Sequence, residues 1–218
     1  MKALIVGAGA QGRVTLDILR AQGRHESIAF VDDDPALTGR QVNGVTVECR
    51  LEEALVQPHG DEMIVALGNP ERRLAVAAEI ARRGIPLLNA IHPSAVIMPS
   101  VTMGRGIMVG ATAVINSNSE IGDNVIVNTG AVVEHDCVVA PGVSIGPGAH
   151  LGGRVDLGEA AFIGTGAIVL SRVFVGSWTV VGAGSVVTKN VPKRVLVMGV
   201  PARVTERLGF TFDWRRVL

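Results

Sequence analysis

Val127-Asn128-Thr129-Gly130-Ala131-Val132-Val133-Glu134-His135-Asp136-Cys137-Val138 holds two units of a six-residue period. An aliphatic residue leads each unit, Val127 and then Val133, and a small one fills the fifth place, Ala131 and then Cys137. The period runs without insertion from position 91 to position 192. Seventeen hexads fit, and all seventeen begin with Ile, Leu, Val or Met. The fifth place is small or β-branched throughout, from Ala95 to Val191, and the second is Gly in nine of the seventeen. A hexapeptide period with an aliphatic lead predicts a parallel β-helix. Each hexad is a short flat strand, three make one triangular coil, and the leads stack into one apolar core.

Composition agrees with that architecture. Hydrophobic residues make up 48% of the 218, yet aromatics only 3% and tyrosine is absent, as suits a thin prism with no room for large rings. The 27 glycines are expected largely at coil corners, where a positive φ is often needed. A net charge of zero indicates no broad attraction to nucleic acid or to an anionic membrane. Cys49 and Cys137 are far apart in sequence and suggest no disulfide framework; Cys137 falls at an inward place and reads as a small buried residue. No leader or membrane-length apolar run is evident, so a cytoplasmic protein is expected.

The first ninety residues follow another pattern. Strands are expected at 2–6, 28–31, 63–67 and 86–89, with helices after Gly12, at 51–56 and at 71–83. The last helix would bury Leu74, Ala77, Ala78 and Ile80 or Ala81. Strands alternating with helices imply a small Rossmann-like parallel sheet, with ligand groups gathered at the strand ends. Three regions follow: an α/β domain over 1–90, an all-β parallel β-helix over 91–192 whose repeat resembles that of left-handed β-helices, and a C-terminal tail over 193–218.

Gly7-x-Gly9-x-x-Gly12 sits between a strand and a helix, where glycines let backbone approach a diphosphate and the helix N-terminus favours the anion. Asp32 lies 20 residues beyond Gly12. Alone, this pattern suggests NAD. The segment is short for a two-half dinucleotide fold, which needs about six strands, and better suits a nucleotide-sugar, which also carries a diphosphate and a ribose. A tight turn alone would use the same glycines.

Further stretches make a resemblance specific: Phe30-Val31-Asp32-Asp33, Ala66-Leu67-Gly68-Asn69, Asn89-Ala90-Ile91-His92-Pro93-Ser94, the segment from Asn128 to Cys137, and Gly199-Val200-Pro201-Ala202-Arg203. Across roughly residues 2–204 the chain resembles the sialic acid O-acetyltransferase-like sugar acetyltransferases, and within them the nucleotide 4-amino-sugar N-acetyltransferases. The resemblance implies acetyl-CoA as co-substrate, a homotrimer, a UDP- or GDP-linked amino sugar as acceptor, and a role in bacterial surface-glycan synthesis. It implies His135 as general base assisted by Asp136, and acetyl-CoA contacts at Ser144, Thr165 and Ala183. Gly9, Ala10 and Gln11 would meet the nucleotide-sugar, Asp32 and Asp33 would read base or ribose, and Gly68 would let the ligand lie close. Two positions depart from the pattern: Ser144 and Gln11 stand where relatives often have histidine. Asp33 could instead cap a turn before Pro35.

The residues support this chemistry on their own terms. Acetyl transfer to an amine needs a base, and histidine changes charge near neutral pH. His135 holds the third place of its hexad, a corner pointing away from the interior, with Asp136 beside it. An ordinary surface histidine is the plain alternative. His92 reads as structural, His25 and His59 fall in loops, and His150 either lines the acyl site or is an ordinary surface residue. Residues 18 apart should share a corner, so His135 stacks with Ser117 and Gly153, while Thr165 stacks with Pro147 and Ala183. Base and cofactor contacts then lie on different edges of one prism, and three prisms side by side would bring them together. O-acetylation of a sugar hydroxyl would use the same base and stays open. A zinc carbonic anhydrase needs three converging histidines, and His92, His135 and His150 occupy mismatched places; no metal is expected. A purely structural helix would leave the outward His-Asp pair without a purpose.

Overall fold

The computed structural model describes residues 2–56, 62–209 and 212–216; His59 and Phe210 lie outside them. The N-terminal unit runs β1 (Lys2–Val6), α1 (Ala10–Gln22), β2 (Ser27–Val31), β3 (Gln41–Val42), β4 (Val45–Cys49), α2 (Leu51–Val56), β5 (Glu62–Val65) and α3 (Pro70–Arg82). Its sheet order is β3-β4-β2-β1-β5, parallel except for the β3-β4 pair. The β3-β4 hairpin was not expected. Its signal was present: Asn43-Gly44, both at positive φ, joins two strands in the manner of a tight hairpin turn. The strand expected at 86–89 reduces to a single bridge from Leu87 to Met63.

From Ala90 onward, two-residue strands recur every six residues. Each pairs in parallel with the strand 18 residues away, as Ile126 does with Met108 and Ser144. The result is a left-handed parallel β-helix with three faces. The first carries the strands at Met108, Ile126, Ser144, Phe162 and Val180, the second those at Val96, Val114, Val132, His150, Ile168 and Val186, and the third those at Thr102, Glu120, Val138, Asp156 and Phe174. Lead and fifth-place residues form one core from Ile107 to Val197, with Val109, Val127, Val133, Ile145 and Ile163 fully buried. Val195–Gly199 extends the first face in parallel, and Ala202–Arg207 adds an antiparallel edge strand.

The glycines have two jobs, and the expected one is the smaller. Positive φ falls at the fourth place, at all fourteen of these positions from Gly106 to Gly184, and eight of them are not glycine, among them Asn118, Asp136 and Arg172. Second-place glycines answer a steric demand instead. A Cβ on Gly158 would lie 2.5 Å from Ser177 N, and one on Gly110 would lie 2.6 Å from Thr129 N. The corner backbone of one coil rests directly on the next, so a side chain there has nowhere to go.

The N-terminal unit covers the lower part of the first face. Ala90, Met108 and Ile126 pack with Ala8, Leu16 and Leu88 in one cluster. Higher up, Trp214 and Leu208 close over Val180, with Phe162, Trp178 and Phe212 around them. The other two faces leave apolar side chains in solvent: Val96, Ile168, Val138 and Phe174 are 41–47% exposed.

The stacking makes a measurable distinction. Gly158→Ala should lower stability by about 1–3 kcal/mol through overpacking. Gly148→Ala, at φ +62 with nothing within 4 Å of the added carbon, should cost about 1 kcal/mol through left-handed backbone strain alone. Thermal unfolding of the two variants checks this; a smaller loss at Gly158 would contradict the close coil contact.

Candidate functional site

Gly9, Ala10, Gln11, Asp32, Asp33 and Gly68 all line one cleft of about 430 Å³ at the ends of the parallel strands, with Leu51, Leu67, Arg72 and Val76. Helix α1 begins there without a side-chain cap, so its first amides are available to an anion. Gly12 packs so closely on the Gly7 carbonyl that no Cβ fits. The start of α3 faces the same cleft, capped by Asn69, whose Oδ1 accepts from the amides of Glu71 and Arg72.

The three aspartates divide the local work. Asp32 accepts from Ala8 N at 2.7 Å and Asp34 N at 2.9 Å, tying the glycine loop to the end of β2. Asp33 accepts from Leu51 N at 3.1 Å, at the start of α2. The turn before Pro35 is capped by Asp34, which accepts from Ala36 N, rather than by Asp33. Gln11 reaches the β-helix: its Nε2 lies 2.8 Å from Met108 Sδ.

His135 sits at the corner between the second and third faces. Its Nδ1 lies 2.8 Å from Asp136 Oδ2, and the side chain is 54% exposed. It stacks beneath Gly153 as the 18-residue spacing requires: a Cβ there would fall 2.6 Å from His135 Nε2. Glycine at 153 therefore makes the room the imidazole occupies. Asp136 also accepts from Asn118 Nδ2 at 3.3 Å and lies 3.5 Å from Arg154 Nε. The His135 hydrogen bond, then that from Asn118, holds its carboxyl below the usual carboxylate range. Cys137 is fully buried next door, and burial raises its thiol pKa.

Thr165 and Ala183 share the corner between the first and second faces and line a groove of about 450 Å³ with Phe162, Leu196, Met198, Phe212 and Arg216. The tail thus supplies part of this wall, which sequence reasoning missed. Arg216 is held there by a two-pronged pair with Glu206, at 3.0 and 2.8 Å. Ser144 is not in the groove. It is buried on the first face, where Arg73 Nη2 donates to its Oγ at 2.9 Å. Arg73 also went unread: Ala78, expected inside, is exposed, whereas Arg73 is buried with Pro70, Ala77 and Ile80. Of the other histidines, His92 Nδ1 bonds Ser94 within its own turn, His25 lies 3.4 Å from Glu62, and His150 is exposed on the second face. Among the described residues no three His, Cys, Asp or Glu side chains gather as metal ligands, and no helix is long and apolar enough to cross a membrane.

A nucleotide-type cleft beside a hexapeptide β-helix with an outward His-Asp corner defines the class of hexapeptide acyltransferases with a nucleotide-binding N-terminal unit. Comparison with known proteins agrees. Residues 2–80 match the PglD N-terminal domain, and residues 118–153 match the bacterial transferase hexapeptide (six repeats). GDP-perosamine N-acetyltransferase of Escherichia coli O157:H7 is 33% identical over 113 residues, 48% of this chain and 49% of the relative, so the match spans about half that protein. A histidine-to-alanine variant of the Caulobacter crescentus GDP-perosamine N-acetyltransferase, solved with CoA and GDP-perosamine, is 42% identical with a TM-score of 0.89, over 94% of this chain and 97% of that one. The acetyltransferase domain of PglB from Neisseria gonorrhoeae, with acetyl coenzyme A, is 38% identical with a TM-score of 0.90, over 93% and 98%. The chain belongs to this family of hexapeptide-repeat sugar N-acetyltransferases.

The corner makes its own prediction. Carbon-detected titration should find Asp136 ionised well into the acid range, and His135→Ala should return its carboxyl toward the ordinary value. An unchanged titration would mean that the imidazole is not its main partner.

Proposed function

We propose that the protein transfers an acetyl group from acetyl-CoA to the 4-amino group of a UDP- or GDP-linked sugar. The likeness over nearly the whole chain to an enzyme solved with CoA and GDP-perosamine carries this reading. The cleft lined by Gly9, Ala10, Gln11, Asp32, Asp33 and Gly68 takes the nucleotide diphosphate. Amides at the α1 N-terminus meet its charge, and Asp33 or Asp32 reads base or ribose. The groove at Thr165 and Ala183 takes acetyl-CoA, with Phe212 and Arg216 on its outer wall. Ser144, buried against Arg73, takes at most an indirect part.

His135 acts as general base. A carboxylate 2.8 Å from Nδ1 favours the tautomer with its proton on that nitrogen, which leaves the Nε2 lone pair to accept a proton from the attacking amine. Nitrogen bonds to the thioester carbon, the carbon-sulfur bond breaks, and the imidazolium returns its proton to the departing thiolate. His135 and the groove lie at different corners of one prism, which supports a site shared between neighbouring subunits of a trimer. The exposed apolar residues of the second and third faces, Val96, Ile168, Val138 and Phe174, fit burial between subunits. Two free thiols and these substrates suit the cytoplasm, and an acetylated amino nucleotide-sugar suits surface-glycan synthesis.

Acetyl-CoA-dependent thiol release against a panel of amino nucleotide-sugars and sialic acid tests the reading. Turnover is expected with UDP- or GDP-linked 4-amino sugars, and turnover with sialic acid alone would favour the O-acetyl alternative. His135→Ala should cut kcat by about 10²–10⁴-fold with little change in binding of either substrate. The wild-type rate should fall at low pH, because a protonated imidazole accepts no proton. Near-normal turnover in His135→Ala would assign the base elsewhere.

A further inference from the structure

Arg73 is the largest side chain withdrawn from solvent among the described residues, with none of its surface exposed. Burial pushes its pKa down to about 9, which leaves it charged at neutral pH. An isolated buried charge is strongly unfavourable, so its hydrogen bonds must be complete. They are. Nε donates to Asn124 O at 3.0 Å. Nη1 donates to Leu67 O at 2.7 Å and Gly68 O at 3.0 Å. Nη2 donates to Gly142 O at 2.7 Å and Ser144 Oγ at 2.9 Å. All five N–H groups of the guanidinium are used, and none of these partners is a carboxylate.

The partners fall into two sets. Leu67 and Gly68 form a wall of the nucleotide cleft. Asn124, Gly142 and Ser144 belong to the β-helix. The neighbouring residue, Arg72, lines the cleft itself, so the first turn of α3 meets the ligand site on one side and the prism on the other. The fit continues at Leu74: a Cβ on Gly142 would lie 2.6 Å from Leu74 Cδ1. A purely structural contact between two units would ordinarily rest on apolar packing, as where Leu16 of α1 clusters with Met108 and Ile126 beside the neutral contacts of Gln11 and Thr15 to Met108.

We propose that Arg73 is a positioning residue for acetyl transfer: its guanidinium fastens the cleft wall at Leu67 and Gly68 to the β-helix and so fixes the sugar amine relative to the helix-borne reacting groups. The proposal rests on the acetyltransferase reading above. Small displacements of a bound reactant carry large rate penalties, about 100-fold for 1 Å. Lysine cannot replace the clamp, because its three donors radiate from one atom and cannot span both sets of acceptors.

The test uses the full-length protein with Arg73→Lys and, separately, Gly142→Ala, which keeps the guanidinium but pushes on Leu74 and strains the backbone whose carbonyl accepts from Nη2. For Arg73→Lys, kcat should fall about 10- to 100-fold, while the KM for acetyl-CoA and the Kd for free UDP or GDP each stay within about threefold. Hydrogen exchange should rise in the peptide spanning residues 66–74 and stay unchanged over β1. Gly142→Ala should show the same pattern more weakly and decides the matter if Arg73→Lys does not fold. Unchanged kcat in folded Arg73→Lys, or faster exchange across the whole chain in step with lost activity, would overturn positioning in favour of a general stability role. Absence of thiol release by the wild-type enzyme with every acceptor would refute the transferase reading instead, and the exchange pattern would still report on the clamp.

Discussion

Parallel backbone hydrogen bonds between residues 18 apart govern the C-terminal half of this protein. Ile126 bonds in register with Met108 below and Ser144 above, and the same step repeats along all three faces. One consequence is chemical monotony inside, where only aliphatic and small side chains fit. The other is strict order outside, because each outward side chain lies over its counterpart one coil away. His135 lies under Gly153 for this reason, and Thr165 lies under Ala183. No local rearrangement can move one of them to another corner without breaking the coil.

That rigidity sets what the remaining elements do. The first face is claimed by the chain itself: α1 at Met108 and Ile126, Arg73 at Ser144, and the tail aromatics at Phe162 and Val180. The second and third faces keep partly exposed aliphatic residues and Phe174. The His-Asp corner joins these two uncovered faces. The Thr165 groove opens at the edge of the covered one, with tail residues on its rim. A prism that hides one face and offers two is well shaped for association with copies of itself.

Much of this was legible in the sequence because a period is a geometric statement. The lead and fifth places of the hexads named the core, and the spacing of 18 put His135 with Gly153. The cleft residues were legible through strand-end positions and the glycine pattern. The errors have physical causes. The glycines as a group suggest corners of positive φ, whereas those at the second place serve close coil contact, and the left-handed places tolerate Asn118, Asp136 and Arg172. The β4 strand was overlooked although Asn43-Gly44 marks its turn. Arg73 was invisible because a helix pattern assigns arginine to solvent, and only tertiary structure shows five carbonyl and hydroxyl acceptors converging on it. The tail's place over Phe162 and Val180 had no periodic signal to announce it.

In the proposed enzyme the base and the acetyl-CoA groove of each site come from different subunits. Mixing two disabled proteins tests this arrangement. His135→Ala keeps its groove and lacks the base; Ala183→Trp keeps the base and blocks the groove. After dissociation and joint reassembly in equal amounts, a site made between neighbours should return about a quarter of the wild-type rate, since three in four trimers are mixed and each holds one intact site of three. A mixture no more active than its two parents would contradict the shared site.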